Sequence, residues 1–89
     1  MISPKTEQKI IEALAEDEHT QWCEWSKSLA KSEHLSPERI ARWKKMWIPY
    51  AELTEEQKEQ DRVYARKSLV RIKFYLLEEH LNQPKEKKE

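Results

Sequence analysis

His19 and Cys23 stand four residues apart, a spacing that would set an imidazole and a thiol on one face of a helix. Two such groups could begin a metal site. A structural zinc wants four ligands at typical spacings, and His34 and His80 lie far away along the chain. A polar helix surface beside a small buried thiol is the simpler reading, so no metal and no cofactor are expected. Nucleophilic catalysis has no local signature either. No cysteine–histidine–acid arrangement of a recognisable kind is present, and the serines fall at helix starts or on exposed faces. Acidic runs such as Glu16-Asp17-Glu18 and Glu55-Glu56 sit where they would solvate a surface or complement a helix dipole. The chain therefore reads as a non-enzyme.

Two basic segments invite an anion. Arg39, Arg42, Lys44 and Lys45 interleave with Trp43 and Trp47, a mixture that can hold phosphates and stack on bases. The tryptophans also step at helical spacing, which core packing explains. The sequence pI of about 6.8 lies well below the value above about 9 typical of a dedicated nucleic-acid binder. Nucleic acid is thus not the expected partner. Residues 62–77 carry five cations and no anion, and Arg62, Arg66, Lys67, Arg71 and Lys73 could form an anion-binding face. Alternatively the basic and acidic blocks neutralise each other between packed helices.

Composition limits what can position these groups. The chain has 89 residues, no glycine, 17 basic and 17 acidic side chains, and a net charge of zero. That is room for one small domain. Glycine-dependent phosphate loops and dinucleotide fingerprints are excluded. Tight hairpins lean on glycine or asparagine, and the one asparagine is Asn82. An all-α fold remains. No run of about 18 apolar residues could span a membrane. With no apolar leader and a single cysteine, a cytoplasmic location in a bacterium or phage-infected host is expected.

Three helices are punctuated. Ser3-Pro4 opens the first by a serine cap and a proline at the first helical position. Its stripe of Ile11, Ala15, Glu18, Trp22, Trp25 and Leu29 follows steps of four and three, to about Lys31. Ser36-Pro37-Glu38 repeats the device for a short second helix with Ile40, Trp43 and Trp47 on one face, stopped by Pro49. Thr54 and Gln57 form a capping box for the third. There Arg62, Ala65, Leu69, Ile72 and Leu76 make the stripe, Asn82 offers a left-handed stop and Pro84 prevents continuation. Residues 1–83 form the predicted domain, and the charged tail 84–89 reads as disordered.

The two long helices should pack antiparallel, making a compact three-helix bundle with the short helix between them. Ile11 and Leu14 then lie near Ile72 and Leu76, and Trp22 and Trp25 toward Arg62, Ala65 and Leu69. Glu18, or an acid near it, is expected to pair with Arg62 or Arg66, because a charge on an apolar stripe is rarely buried alone. Phe74, Tyr75, Leu77 and Leu81 exceed what one face can bury. Either the start of the first helix covers them, with Ile2 and Ile10, or a second copy does.

The segment Trp47-Ile48-Pro49-Tyr50-Ala51-Glu52-Leu53-Thr54-Glu55-Glu56-Gln57-Lys58-Glu59-Gln60-Asp61-Arg62 resembles the central signature of the ryanodine-receptor repeat, or RyR domain. That signature is a Pro-Tyr, a leucine three residues on, an acid-rich helix start, then lysine and Asp-Arg. Leu14-Ala15-Glu16-Asp17-Glu18-His19-Thr20-Gln21-Trp22 is similar to the family's first helix. The family's Gly-Trp and Tyr-Gly segment has no counterpart here. Ser26–Arg42 stands in its place, as in small phage and prophage proteins. The resemblance implies a compact helical module, for which binding of a nucleotide-derived ligand is an expectation.

Read physically, Leu53 anchors the third helix's entry, Asp61 can pair with Lys58, and Arg62 faces inward. His19, Trp22, Tyr50 and Arg62 could converge, either as a polar core that locks the connector or as a pocket. In the pocket, Arg62 would meet an anion and an aromatic would stack on a ring. The function expected first is an accessory protein-interaction domain of phage or prophage origin, with a protein partner not named by the sequence and a homodimer possible. A small-ligand module using that pocket, and a weak nucleic-acid binder, are the alternatives.

Overall fold

The structure is a computed structural model and describes residues 2–82. Its elements are α1 (Pro4–Ser32), α2 (Pro37–Lys44), a single 3-10 turn (Tyr50–Glu52) and α3 (Glu55–Asn82). The fold is an all-α helical bundle in which α1 and α3 pack together. Each helix starts where its cap dictates. The Ser3 hydroxyl accepts from the Thr6 amide at 3.1 Å, and the Ser36 hydroxyl from the Arg39 amide at 3.1 Å. The Gln57 amide donates to Thr54 Oγ1 at 3.1 Å, and the Gln57 side chain accepts from the Thr54 amide at 3.0 Å. Such caps satisfy amides that have no partner within the helix, each contributing about 1 kcal/mol. No described residue has a positive φ. The left-handed stop expected at Asn82 is therefore not taken there. The tail assigned to 84–89 lies outside the described residues.

α1 and α3 run antiparallel, with Glu7 against Lys73 near one end and His19 against Asp61 toward the other. Ala15 and Ala65, both 0% exposed, share the core with Tyr50 and Leu53. Two small side chains in this position let the helix backbones approach closely. Ile11, Leu14, Met46 and Ile48 pack around this cluster. Leu53 is buried just ahead of the Thr54 cap, as an anchor for the entry into α3.

Several expected contacts fall elsewhere. Arg62, Ala65 and Leu69 lie at the level of Glu18, Ala15 and Ile11, so Trp22 and Trp25 sit beyond them. Their rings meet Trp43 of α2 instead, at 5.8 and 5.9 Å between centroids. Ile11 and Leu14 join the Ala15 cluster, while Ile72 and Leu76 remain exposed. α2 also ends earlier than expected. Pro49 has no amide to give to the Lys45 carbonyl, so the helix cannot continue through it. The chain tightens first, with Met46 bonded to Trp43 and Trp47 to Lys44. Trp47 thereby leaves the helical stripe. Its indole donates to Ser26 Oγ at 2.8 Å, and that hydroxyl donates to the Cys23 carbonyl at 3.3 Å.

Ser26 and His19 are both buried. The buried face of α1 is thus Ala15, His19 and Ser26, turned by roughly 60° from the apolar stripe read in the sequence. Two polar side chains occupy it because each has a hydrogen-bond partner in the segment between α2 and α3.

Candidate functional site

The charged and aromatic residues singled out in the sequence form two adjoining networks. Arg62 anchors the first. Its Nε donates to Glu12 Oε2 at 2.6 Å and its Nη2 to Glu12 Oε1 at 3.3 Å, a two-pronged contact across α1 and α3. Its Nη1 donates to Glu55 at 3.1 Å, and Glu59 lies 3.7 Å away. The Tyr50 hydroxyl donates to Glu12 Oε1 at 2.9 Å. Glu12, not Glu18, is therefore the partner of Arg62. Glu12 faces the Tyr50 turn, whereas Glu18 lies on the other edge of the buried face. Arg66 pairs with Glu59 on its own helix, at 2.7 and 3.1 Å.

The Arg62 hydrogen bond holds the Glu12 carboxyl below the usual carboxylate range. The same bond raises the Arg62 pKa. Burial, and then the bond to Glu12, push the Tyr50 hydroxyl up to about 12. An acid whose folded pKa is raised favours the folded state until the unfolded chain begins to ionise. Stability is lost as pH climbs from about 10 toward 12. Ultraviolet titration of tyrosinate should show one tyrosine ionising late, and Tyr50→Phe should remove that component. Equal titration of all the tyrosines would contradict the Tyr50–Glu12 contact.

His19 anchors the second network. Its Nε2 lies 2.7 Å from the Ile48 carbonyl oxygen. A carbonyl only accepts, so Nε2 carries the proton. Cys23 Sγ lies 3.4 Å from the same nitrogen, and its thiol reaches the Met46 carbonyl at 3.8 Å. Burial raises the Cys23 pKa. With its proton directed at the Ile48 carbonyl, His19 Nε2 does not accept from the Cys23 thiol. Asp61 Oδ2 stands 4.0 Å from His19 Nδ1, and burial raises the Asp61 pKa, with His19 opposing. Asp61 does not take Lys58 as expected. It turns toward α1, while Lys58 reaches Glu55 at 3.6 Å and lies over the Tyr50 ring.

These networks tie the connector to α1 and α3. They do not surround one cavity. An open cleft of about 360 Å³ is lined by His19, Cys23, Ile48 and Tyr50, with Glu16 and Glu24 among its other walls. Trp22, Asp61 and Arg62 do not line it. Trp22 stacks on the far side of this network, its ring 6.2 Å from His19 and against Trp43. Among the described residues no group of three or more His, Cys, Asp or Glu side chains is placed to hold a metal ion.

The cations of the possible anion face project to different sides of α3. Arg66 and Lys73 are held by Glu59 and Glu7. Lys67 lies over the Tyr64 ring at 5.2 Å. Arg71 pairs with no other described residue, as the ion pairs among them fall elsewhere.

The largest feature left over is apolar. On α3, Val70, Phe74, Leu77 and Leu81 are 67%, 58%, 57% and 71% exposed. Steps of four, three and four place them on one stripe, roughly 140° round the helix from Ala65 and Leu69. Ile2 reaches a groove with Leu76, Leu77 and His80, yet the start of α1 does not cover the stripe. Phe74 and Tyr75 rings meet each other edge to face, 5.2 Å apart, with solvent around both. The sequence shows this surplus of apolar residues. Its position opposite the α1 contact follows only from the register. No helix among the described residues is long and apolar enough to cross a membrane. Comparison with protein-family models, curated proteins and solved structures found no match to this chain.

Proposed function

We propose that this protein is a non-enzymatic accessory module that works by protein–protein docking. The observation that carries the reading is the solvent-exposed stripe Val70, Phe74, Leu77 and Leu81 on the face of α3 that α1 leaves uncovered. Contiguous exposed apolar surface marks interaction sites in soluble domains. The small-ligand reading finds its anchoring groups already engaged. The Arg62 guanidinium is occupied by Glu12 and Glu55, and the His19 Nε2 proton by the Ile48 carbonyl. The stretch Trp47–Arg62, with its likeness to the RyR repeat, supports a phage- or prophage-type module of this kind.

A photo-crosslinking residue in place of Leu77, in the full-length chain expressed in its source cells, tests the docking face. Adducts to a defined protein, or to a second copy, are expected from position 77 and not from exposed Glu52. Equal labelling at the two positions would reject the reading.

One observation favours a second reading. Arg39, Arg42, Lys44 and Lys45 are all exposed and pair with no described acid. A weak nucleic-acid contact there would be strongly salt-dependent. Absence of a gel shift at low salt removes it.

A further inference from the structure

The exposed stripe of α3 carries more pattern than a generic sticky surface. Val63, Lys67, Val70, Phe74, Leu77 and Leu81 alternate steps of four and three along the helix, the repeat of a coiled-coil seam. Ala65 and Leu69 belong to the opposite side, which faces α1. α3 is thus a helix with two seams, of which α1 fills one.

The chemistry of the open seam fits its own reverse. Set against a second α3 running antiparallel, Phe74 comes level with Leu77 of the other copy and Val70 with Leu81. Both contacts recur by symmetry, giving four apolar layers with no lysine among them. Along one edge lie Arg71 and Glu78, seven residues apart, and neither pairs with another described residue. The antiparallel register that aligns the four layers brings each Arg71 to the other copy's Glu78. On the other edge, Lys73 is already held by Glu7, and Arg66 by Glu59. A parallel pairing would instead set Lys67 against Lys67 and Arg66 beside Arg71, placing like charges together. A face that meets itself about a two-fold axis must be self-complementary, and this one is so in size and in charge.

We propose, resting on the docking reading above, that the occupant of this face is a second copy of the chain. The α3 helices pair antiparallel through Val70, Phe74, Leu77 and Leu81, clamped by two Arg71–Glu78 ion pairs. The four layers and the flanking aliphatic stems bury roughly 1,000 Å² in total, the lower end of specific interfaces. The dimer is therefore reversible and dependent on concentration.

Sedimentation equilibrium of the full chain, from micromolar to millimolar, tests this. The mass should rise from monomer to dimer and stop there. Arg71→Glu or Glu78→Arg alone should raise the dissociation constant about tenfold or more by opposing like charges. The double reversal should return it close to the starting value. All three variants change exposed residues, and circular dichroism verifies that they fold. Leu77→Glu should leave a monomer. A mass that stays monomeric throughout overturns the pairing. So does a dimer indifferent to Leu77→Glu, or single reversals that the double reversal does not rescue. A monomer whose position-77 probe still labels one other protein sinks self-pairing alone. A monomer that labels nothing sinks the docking function too.

Discussion

Ala65→Leu should destabilise the protein by about 3 kcal/mol, lowering the melting temperature by roughly 15 °C in a domain of this size. Ala65 and Ala15 are both wholly buried where α1 and α3 pack. Three added carbons have no void to enter, so the helices must separate or the connector must move. Separation would break more than the local contact. Tyr50 and Leu53 lie in the same cluster, and Tyr50 also holds Glu12. Ser68→Leu, on an exposed position of the same helix, is the control and should change the melting temperature little. Thermal melts followed by circular dichroism compare the two. Equal melting of Ala65→Leu and the parent would mean that the helices do not pack at these alanines.

Arg62→Ala is expected to have the next largest effect, about 2 kcal/mol. Removing one partner of a fully buried pair commonly costs about 3–5 kcal/mol. Here the Arg62 side chain is 16% exposed and Glu12 35%, so water screens part of the interaction. The substitution also strands the Tyr50 hydroxyl on a carboxylate without its countercharge. A double-mutant cycle with Glu12→Gln isolates the pair, and a coupling near zero would refute it.

The pH dependence gives an independent reading. The folded Glu12 pKa is depressed, so its contribution is full above the ordinary carboxylate pKa. It is lost as pH falls through the lower folded value. The parent should therefore lose stability on acidification over that window more steeply than Arg62→Ala does. Charge reversal at Glu18, attractive from the sequence alone, should leave this limb in place.

The helix starts were legible because each depends on a few adjacent residues. A serine before proline, or threonine three residues ahead of glutamine, satisfies its own amides whatever the rest of the chain does. Leu53 was legible for the same reason. The inward face of α1 was not. Apolar spacing selected Glu18 and Trp25 as part of the stripe, whereas the true face holds His19 and Ser26. Nothing in their own neighbourhood marks them for burial. What buries them is the Ile48 carbonyl and the Trp47 indole, 29 and 21 residues further along. Glu12 was missed similarly. It reads as one surface acid among many until the Tyr50 turn and Arg62 are placed beside it. The surplus of apolar residues in the second half of α3 was visible as a count, and became a seam once α1 was seen to occupy the other side.

The lack of any positive φ in the described residues bears on the denatured chain as much as on the folded one. With no glycine, no residue in the unfolded ensemble has glycine's extra freedom to lose. Each glycine replaced by another residue at a compatible position lowers the cost of ordering by about 0.4–1 kcal/mol. A chain of average composition would carry about six, so the difference amounts to a few kcal/mol. That is comparable to the whole stability margin of many small domains. The short core of alanine, tyrosine and leucine between α1 and α3 is sufficient partly because the denatured chain it competes with is stiffer than usual.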